Sequence, residues 1–329
     1  MKFLIAGLGS IGRRHLRNLL TLGESDILLF RTLKSTLSDD ELAAFPTFTN
    51  LNDALAQRPD AVIVTNPTAC HLDVALPSAM AGCHLLLEKP VSNARDERVD
   101  ALKRVVGEGD TQVLVGFQFR FHPVLMQLQQ ILAQGQLGPS YSFRCHWGEF
   151  LPNWHPWEDY RNSYAARRDL GGGVVNTLSH PLDYARWLFG EVQSLTAITG
   201  QISNLAVNVE DIAEIILHFE GGTLGSLHLD YYQQPPSHWI EITCENGLIH
   251  WDNETGSATI HRVGDKLSEK INPPLNFTRN DLFLAEMQHF IQLIQGKGKS
   301  RCDLVDGIKA LAITEAIHEA AESRAWVRL

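Results

Sequence analysis

Cysteine is scarce and unpatterned in this 329-residue chain. Cys70, Cys83, Cys145, Cys244 and Cys302 are odd in number and far apart, and no C-x-x-C pair occurs. That spacing excludes a disulfide framework and a zinc ribbon, and it predicts a cytoplasmic protein with reduced thiols. No apolar run approaches the roughly 18 residues a membrane span needs. The opening "MKFLIAGLGSIG" has neither the long apolar region nor the small-residue cleavage site of a secretory signal. Positive charge is in deficit, with 28 Lys and Arg against 38 Asp and Glu for a net charge of −10. Its scatter along the chain excludes a nucleic-acid footprint. Repeats and low-complexity segments are missing as well. The length suits two domains of about 150 residues each.

What is present begins at the N-terminus. "KFLIA" (2–6) reads as a short buried strand, and "GLGSIG" follows at once, with Gly7, Gly9 and Gly12 in the G-x-G-x-x-G spacing, before "RRHLRNLL" continues at helical period. Glycines permit a tight turn and close backbone approach, and the free N–H groups of Ser10, Ile11 and Gly12 at a helix N-terminus suit a pyrophosphate. Placed between a first strand and a first helix, the motif predicts a dinucleotide site. The second strand, "DILLF" (26–30), ends where an acid usually binds the ribose hydroxyls of NAD. Here Arg31, Thr32, Leu33, Lys34 and Ser35 stand instead. With no carboxylate in that run and with Arg31, Thr32 and Lys34 able to donate to a 2′-phosphate, NADP is expected over NAD.

Strands and helices then alternate. "DAVIV" (60–64) is a strand, "HLDVALPSAMAG" (71–82) a helix, "HLLLE" (84–88) a strand, "ARDERVDALKRVVGEG" a helix and "TQVLVGF" a strand. This order implies a parallel, doubly wound sheet, whose ligands lie beyond the carboxyl ends of the strands. "TNP" (65–67) and "EKP" (88–90) fall at that edge, so Lys89 is expected to face a cofactor crevice. After about residue 122 the pattern turns to period two. "YSFRCHWGEF", "VQSLTAITGQIS", "DIAEIILHFE", "GTLGSLHLDYY", "HWIEITCEN" and "GLIHWDN" read as hairpins of a mostly antiparallel sheet with one buried face. The expected fold is therefore α/β: a Rossmann domain over 1–121 and an α+β domain over 122–329 with an open antiparallel sheet. A C-terminal helix over about 303–323 is expected to pack back toward the first domain.

Taken together, "GLGSIGRRHLRNL", "VIVTNPTACHLDVALPSAMAGCHLLLEKPVS", "VGFQFRFHPV", "GGGVVNTLSHPLDYARWLFG" and the closing "DLVDGIKALAITEAIHEAAES" resemble the glucose–fructose oxidoreductase / inositol dehydrogenase / rhizopine-catabolism (Gfo/Idh/MocA) family, over essentially the whole chain. The resemblance implies an NAD(P)-dependent oxidoreductase acting on a sugar, polyol or sugar nucleotide. It implies a homo-oligomer, a dimer or tetramer, assembled through the second domain's sheet. Lys89 matches the family's active-site lysine. Thr65, Asn66, Pro67, His71, Glu88 and Gln118 join the glycine turn, Arg31, Thr32, Lys34 and Lys89 as expected cofactor contacts.

His180 matches the family's general acid–base by position and by chemistry, since imidazole titrates near neutral pH. The family's usual aspartate four residues earlier is Asn176 here, which can hydrogen-bond but supplies no negative charge. Residues 176, 180 and 183 can share one helical face, with a kink expected at Pro181. Arg120, Trp157, Tyr160, Arg161 and Asp183 are the expected substrate contacts, being types that stack on sugar rings or bind hydroxyls and phosphates. His218 and His228 lie on strand patterns and read as surface or packing residues. Cys145, His146 and His155 match no standard ligand spacing, so no metal is expected. Two alternatives remain open: an aldose–ketose or imine reductase using the same cofactor, and a catalytically silent dinucleotide-binding sensor, which Asn176 would favour.

Overall fold

A computed structural model describes residues 1–32 and 37–329. Lys34, expected at the cofactor's ribose end, lies outside the described residues, as do Leu33 and Ser35. The chain divides into two compact units, Met1–Gln118 with Arg279–Leu311, and Phe119–Thr278 with Ala312–Leu329. Residues 279–311, which the sequence pattern assigns to the second domain, thus group with the first.

The first unit is built on six parallel strands: β1 (Lys2–Ala6), β2 (Asp26–Phe30), β3 (Thr47–Phe48), β4 (Ala61–Val64), β5 (His84–Leu87) and β6 (Val113–Val115), in the order β3-β2-β1-β4-β5-β6. Their apolar runs are continuous because the inner strands are covered on both faces: Phe3, Leu4, Ile5, Val62, Ile63, Leu85, Leu86 and Leu87 are fully buried. Each such side chain contributes roughly 1.5–3 kcal/mol by leaving water. Among the described residues the connecting helices are α1 (Ser10–Thr21), α2 (Leu51–Leu55), α3 (His71–Met80) and α4 (Glu97–Glu108). Helix α1 buries Leu16 and Leu19 and stops at Gly23, whose φ of +85° suits glycine and lets the Glu24 N–H return to the Leu19 carbonyl at 3.0 Å.

The second unit holds helices α5 (Pro123–Ala133), α6 (Val174–Thr177) and α7 (His180–Phe189) and a nine-stranded sheet. The strands are β7 (Ser140–Phe150), β8 (Val192–Gly200), β9 (Ile212–Phe219), β10 (Leu224–Asp230), β11 (Tyr232–Cys244), β12 (Gly247–Asp252), β13 (Ala258–Arg262), β14 (Glu269–Ile271) and β15 (Val327–Arg328). Their order is β14-β13-β12-β11-β7-β10-β9-β8-β15, antiparallel throughout except for the β7–β10 pair. Alternation along β9 puts Ala213, Ile215 and Leu217 inside and leaves Glu214 and Ile216 exposed. Helix α8 (Arg279–Ile294) belongs to the first unit, and α9 (Leu304–Ser323) begins there and ends in the second. Among the described residues, no helix is long and apolar enough to cross a membrane.

Candidate active site

In the first unit the parallel ladder brings three loops to one edge. Ala6 pairs with Val64 and Val64 with Leu87, so the glycine turn, Thr65-Asn66-Pro67 and Glu88-Lys89-Pro90 begin on one row across the sheet. The Thr65 N–H donates to Ala6 O at 2.8 Å and the Glu88 N–H to Val64 O at 3.0 Å. Gly7 has φ +101°, and a Cβ there would come within 2.6 Å of the Asn66 nitrogen, so only glycine fits. Thr65 braces the turn from below, its hydroxyl donating to Gly7 O at 2.6 Å and Ala6 O at 3.0 Å. Helix α1 starts at Gly9–Ser10 with no side-chain cap and no acid in its first turn, and a Cβ on Gly9 would meet open space. Uncapped N–H groups and the positive dipole end therefore face outward, which fits a dinucleotide pyrophosphate.

Other expected cofactor contacts take structural positions. His71 is buried between two loops, with Nδ1 2.8 Å from Pro90 O and Nε2 3.0 Å from Asn66 O. It braces one loop against the other, and burial holds its pKa below the ordinary imidazole value. Asn66 donates from Nδ2 to Cys70 O at 2.7 Å, while its buried Oδ1 has no hydrogen-bond partner among the described residues. Pro67 leads into a short 3₁₀ turn, and Gln118 is buried at the start of another. Lys89 is half-buried at the end of β5. Glu88 turns inward: Oε1 lies 2.8 Å from His15 Nε2, and Oε2 accepts from the Lys89 N–H at 3.3 Å.

The ribose end requires a correction. The run after β2 contains no acid, but the fold returns one. Asp39 Oδ1 stands 2.8 Å from Arg31 Nη1 and 3.5 Å from Arg13 Nη2. Hydrogen bonding to Arg31 holds the Asp39 carboxyl below the usual carboxylate range. A 2′-phosphate on Arg31 would therefore compete with this carboxylate. Thr32 is exposed beside them.

In the second unit His180 opens α7, and the expected continuous helix is in fact two. Helix α6 ends at Thr177 and α7 begins at His180, with Pro181 in its first turn. Proline is tolerated there because the missing N–H would have no intrahelical partner, so the break precedes His180 instead of following it. Asn176 and His180 thus lie on different helices, and the one-face argument fails for this pair. Both are buried. The His180 ring meets Phe119 edge-on (centroids 5.2 Å) and stacks near Trp147 (5.7 Å). Asn176 donates weakly to Gly171 O at 3.4 Å, and its buried Oδ1 has no hydrogen-bond partner among the described residues.

Two expected substrate contacts bind each other. Arg120 forks onto Asp183 through Nε–Oδ2 (2.9 Å) and Nη2–Oδ1 (2.7 Å), both side chains being almost fully buried. This pair anchors the first turn of α7. Arg161 pairs with Asp159 on the surface, the Tyr160 hydroxyl accepts from the Ala206 N–H at 3.0 Å, and Trp157 is exposed against His155. A pairing the sequence did not suggest is also present. His228, read as surface or packing, touches Asp230 at 2.8 Å and Glu214 at 2.5 Å, and His146 stacks on it at 4.6 Å. Hydrogen bonding to Asp230 raises the His228 pKa. Period-two spacing shows which face His228 takes but not which neighbours share it.

Comparisons with known proteins agree with this architecture. The family model for the NAD-binding Rossmann fold of the Gfo/Idh/MocA oxidoreductases matches residues 1–117, and that for their C-terminal alpha/beta domain matches 129–329. The chain is 27% identical to myo-inositol 2-dehydrogenase of Thermotoga maritima, covering 100% of this chain and 98% of that one. It is 23% identical to levoglucosan dehydrogenase of Pseudarthrobacter phenanthrenivorans, covering 81% and 79%. A solved levoglucosan dehydrogenase in complex with NADH and levoglucosan matches with a TM-score of 0.87 at 19% identity, over 100% of this chain and 99% of that one. The WlbA dehydrogenase of Bordetella pertussis, in complex with NADH and UDP-GlcNAcA, matches at 0.83 and 22%, over 100% and 98%.

Proposed function

Because this chain belongs to the Gfo/Idh/MocA oxidoreductase family and carries its NAD-binding Rossmann domain, we propose that it moves hydride between a nicotinamide cofactor and a CH–OH carbon of a sugar, polyol or sugar nucleotide. The observation that carries this reading is the common edge of the first unit's sheet, where an uncapped helix N-terminus and Lys89 follow strands in register. Inositol and levoglucosan in the names of the relatives support a polyhydroxylated substrate.

The bound nicotinamide supplies a hydride acceptor or donor. The protein's work is the proton and the charge. As the hydroxyl carbon gives up hydride, its O–H proton passes to the His180 imidazole, and the Lys89 ammonium stabilises the oxyanion that develops. Microscopic reversal returns the proton from His180 during reduction. Gly9, Ser10, Ile11 and Gly12 would hold the pyrophosphate through backbone N–H groups, while Gly7, whose own N–H donates to Phe30 O at 3.0 Å, shapes the turn. Arg120 and Asp183 act one step removed, by fixing the helix start that presents His180.

For the second phosphate we infer NADP(H), held by Arg31, whose buried Nε has no hydrogen-bond partner among the described residues. Arg31 is buried while the competing Asp39 carboxylate is exposed, so Asp39 can turn out to water when a doubly charged phosphate takes its place on the guanidinium. A cytoplasmic homo-oligomer completes the reading. Exposed Ile198, Ile216 and Leu224 on β8, β9 and β10 offer apolar surface for assembly.

The test is titration of purified protein with NADPH and NADH, followed by turnover on a panel of polyols, aldoses and nucleotide sugars read by nicotinamide absorbance. Tighter NADPH binding and turnover of at least one polyhydroxylated substrate are expected. Tight cofactor binding with no turnover across the panel would replace this reading with the sensor, the reading that Asn176 in place of an aspartate favours.

A further inference from the structure

Beneath the Lys89 loop three buried titratable side chains meet. His15 comes from α1, Glu88 from the end of β5 and Glu286 from α8, and each offers a ligand atom within 4.8 Å of the others. His15 and Glu286 are both 0% exposed. Neither carboxyl oxygen of Glu286 has a hydrogen-bond partner within the described residues, and His15 Nδ1 has none either. The cluster is roofed by Phe283, which meets the His15 ring edge-on at 6.2 Å and carries the Arg14 guanidinium 4.4 Å above its own ring. Gly116 forms its floor. A Cβ there would stand 2.9 Å from Glu88 Oε2.

Two buried carboxyls beside one imidazole cannot all carry their usual charge, because a buried unpaired anion is expensive. A divalent cation would balance them, but the geometry speaks against it. His15 Nε2 and Glu88 Oε1 are 2.8 Å apart, the length of a direct hydrogen bond. Two ligands of one zinc, each about 2.0–2.1 Å from the ion, stand further apart than that. Arg14 also places positive charge near Glu88. The remaining way to balance the charge is a proton on Glu286.

We propose that Glu286 is a buried carboxylic acid packed against the hydrogen-bonded His15–Glu88 pair, so that the three join α1, α8 and the strand end bearing Lys89 and Glu286 acts as a positioning residue for Lys89. Glu88 is the link: one carboxyl oxygen faces His15 and the other accepts from the Lys89 N–H. Asn280 on α8 reinforces the same join, donating to Asn18 of α1 at 3.0 Å. Burial, followed by the charge of Glu88, pushes the Glu286 carboxyl well above the usual carboxylate range. The charged or titratable groups around the cluster are Arg14 and His15 of α1, Glu88 of the β5 end and His71 of α3, the last two in electrostatic contact, while Arg279 of α8 acts on Arg14. The positioning part rests on the catalytic reading of Lys89, whereas the protonation state does not.

The test compares Glu286→Gln, which imitates a neutral carboxyl, with Glu286→Ala. Outer partners that orient a functional group are typically worth about 10–100-fold. Glu286→Ala should therefore lower kcat by roughly tenfold or more with cofactor affinity held within a few-fold, and Glu286→Gln should restore most of it. An acid whose folded pKa is raised binds more protons folded than unfolded, so its stability is greatest below the unfolded value of about 4.3 and falls as pH rises toward the folded one. The melting temperature of Glu286→Gln should accordingly gain on the unmodified protein as pH rises. The infrared band of a protonated carboxyl should be present at neutral pH and vanish in Glu286→Gln. Absence of that band, a Glu286→Gln variant as impaired as Glu286→Ala, or one equivalent of tightly bound divalent metal lost on substitution would each overturn the proposal. If Lys89→Ala proves fully active, the infrared and melting results still decide the protonation state. If Glu286→Ala fails to fold, Glu286→Gln and the infrared band decide alone.

Discussion

In the first unit, the glycine turn, Thr65 and Glu88-Lys89 come directly after the last residues of β1, β4 and β5, and the register of those strands fixes their common edge. In the second unit, His180 is set by side chains from distant segments. Asp183, one turn on, is gripped by Arg120, and the ring is flanked by Phe119 and Trp147. One set of functional groups is placed by backbone ladders and the other by packing and one buried ion pair. A ladder tolerates many side-chain changes, because its hydrogen bonds are common to nearly all residues. A site placed by side chains fails when one partner is removed.

The sharpest probe of that contrast is the chemistry itself. Lys89→Ala should keep NADPH affinity within a few-fold yet reduce kcat severely, the mark of an interaction made only in the transition state. Loss of NADPH binding with turnover retained would make Lys89 a cofactor contact instead. His180→Ala should remove most activity together with the acidic limb of the pH–rate profile. Survival of that limb would mean that another group carries the proton.

Next in size is the ion pair. Arg120→Ala removes the bidentate partner of the buried Asp183 carboxylate and should destabilise the protein by about 3–5 kcal/mol in denaturant titrations. Because the cofactor turn is placed by strands and not by this pair, NADPH affinity of the folded variant should hold, and a parallel collapse of cofactor binding would erase the distinction between the two units.

The ribose end should respond on a smaller scale. A charge-assisted hydrogen bond contributes about 1.5–3 kcal/mol, so Arg31→Asp should shift preference toward NADH by about tenfold or more. Asp39→Asn should shift it toward NADPH, since the competitor for Arg31 is gone. Fluorescence titration with both cofactors checks the pair, and an Asp39→Asn variant that loses NADH affinity while gaining none for NADPH would show Asp39 to be a ribose ligand.

The smallest expected effect is at residue 176. Asn176→Asp adds a negative charge in the buried surroundings of α6, and such a charge favours the imidazolium form of the acid–base. The acidic limb should therefore move to higher pH, read from pH–rate profiles of both proteins on one substrate. An unmoved limb would separate residue 176 from the proton's path.

How legible each part was follows from the same contrast. The period-two and apolar-run patterns marked both sheets, because alternation and continuous burial are local properties of a strand. The glycine turn was equally plain, since Gly7 and the uncapped start of α1 depend on neighbours within a few residues. Pro181 was read as a kink inside one helix, but the break fell before His180, where a proline costs nothing. Arg120 and Asp183 both read as polar groups for a substrate, because 63 residues separate them and no local pattern reveals a bidentate pair.

The sequence by itself determined the two sheets, the dinucleotide turn and the place of Lys89 at a strand end, all consequences of short-range periodicity and of glycine's freedom. Only the tertiary structure decided that residues 279–311 group with the first unit, that Asp39 returns to Arg31, and that Glu286 is sealed against His15 and Glu88. The physical reason is that burial and charge pairing depend on which distant segments meet. A glutamate reads the same on a solvated helix face and in a buried cluster until its neighbours have closed over it.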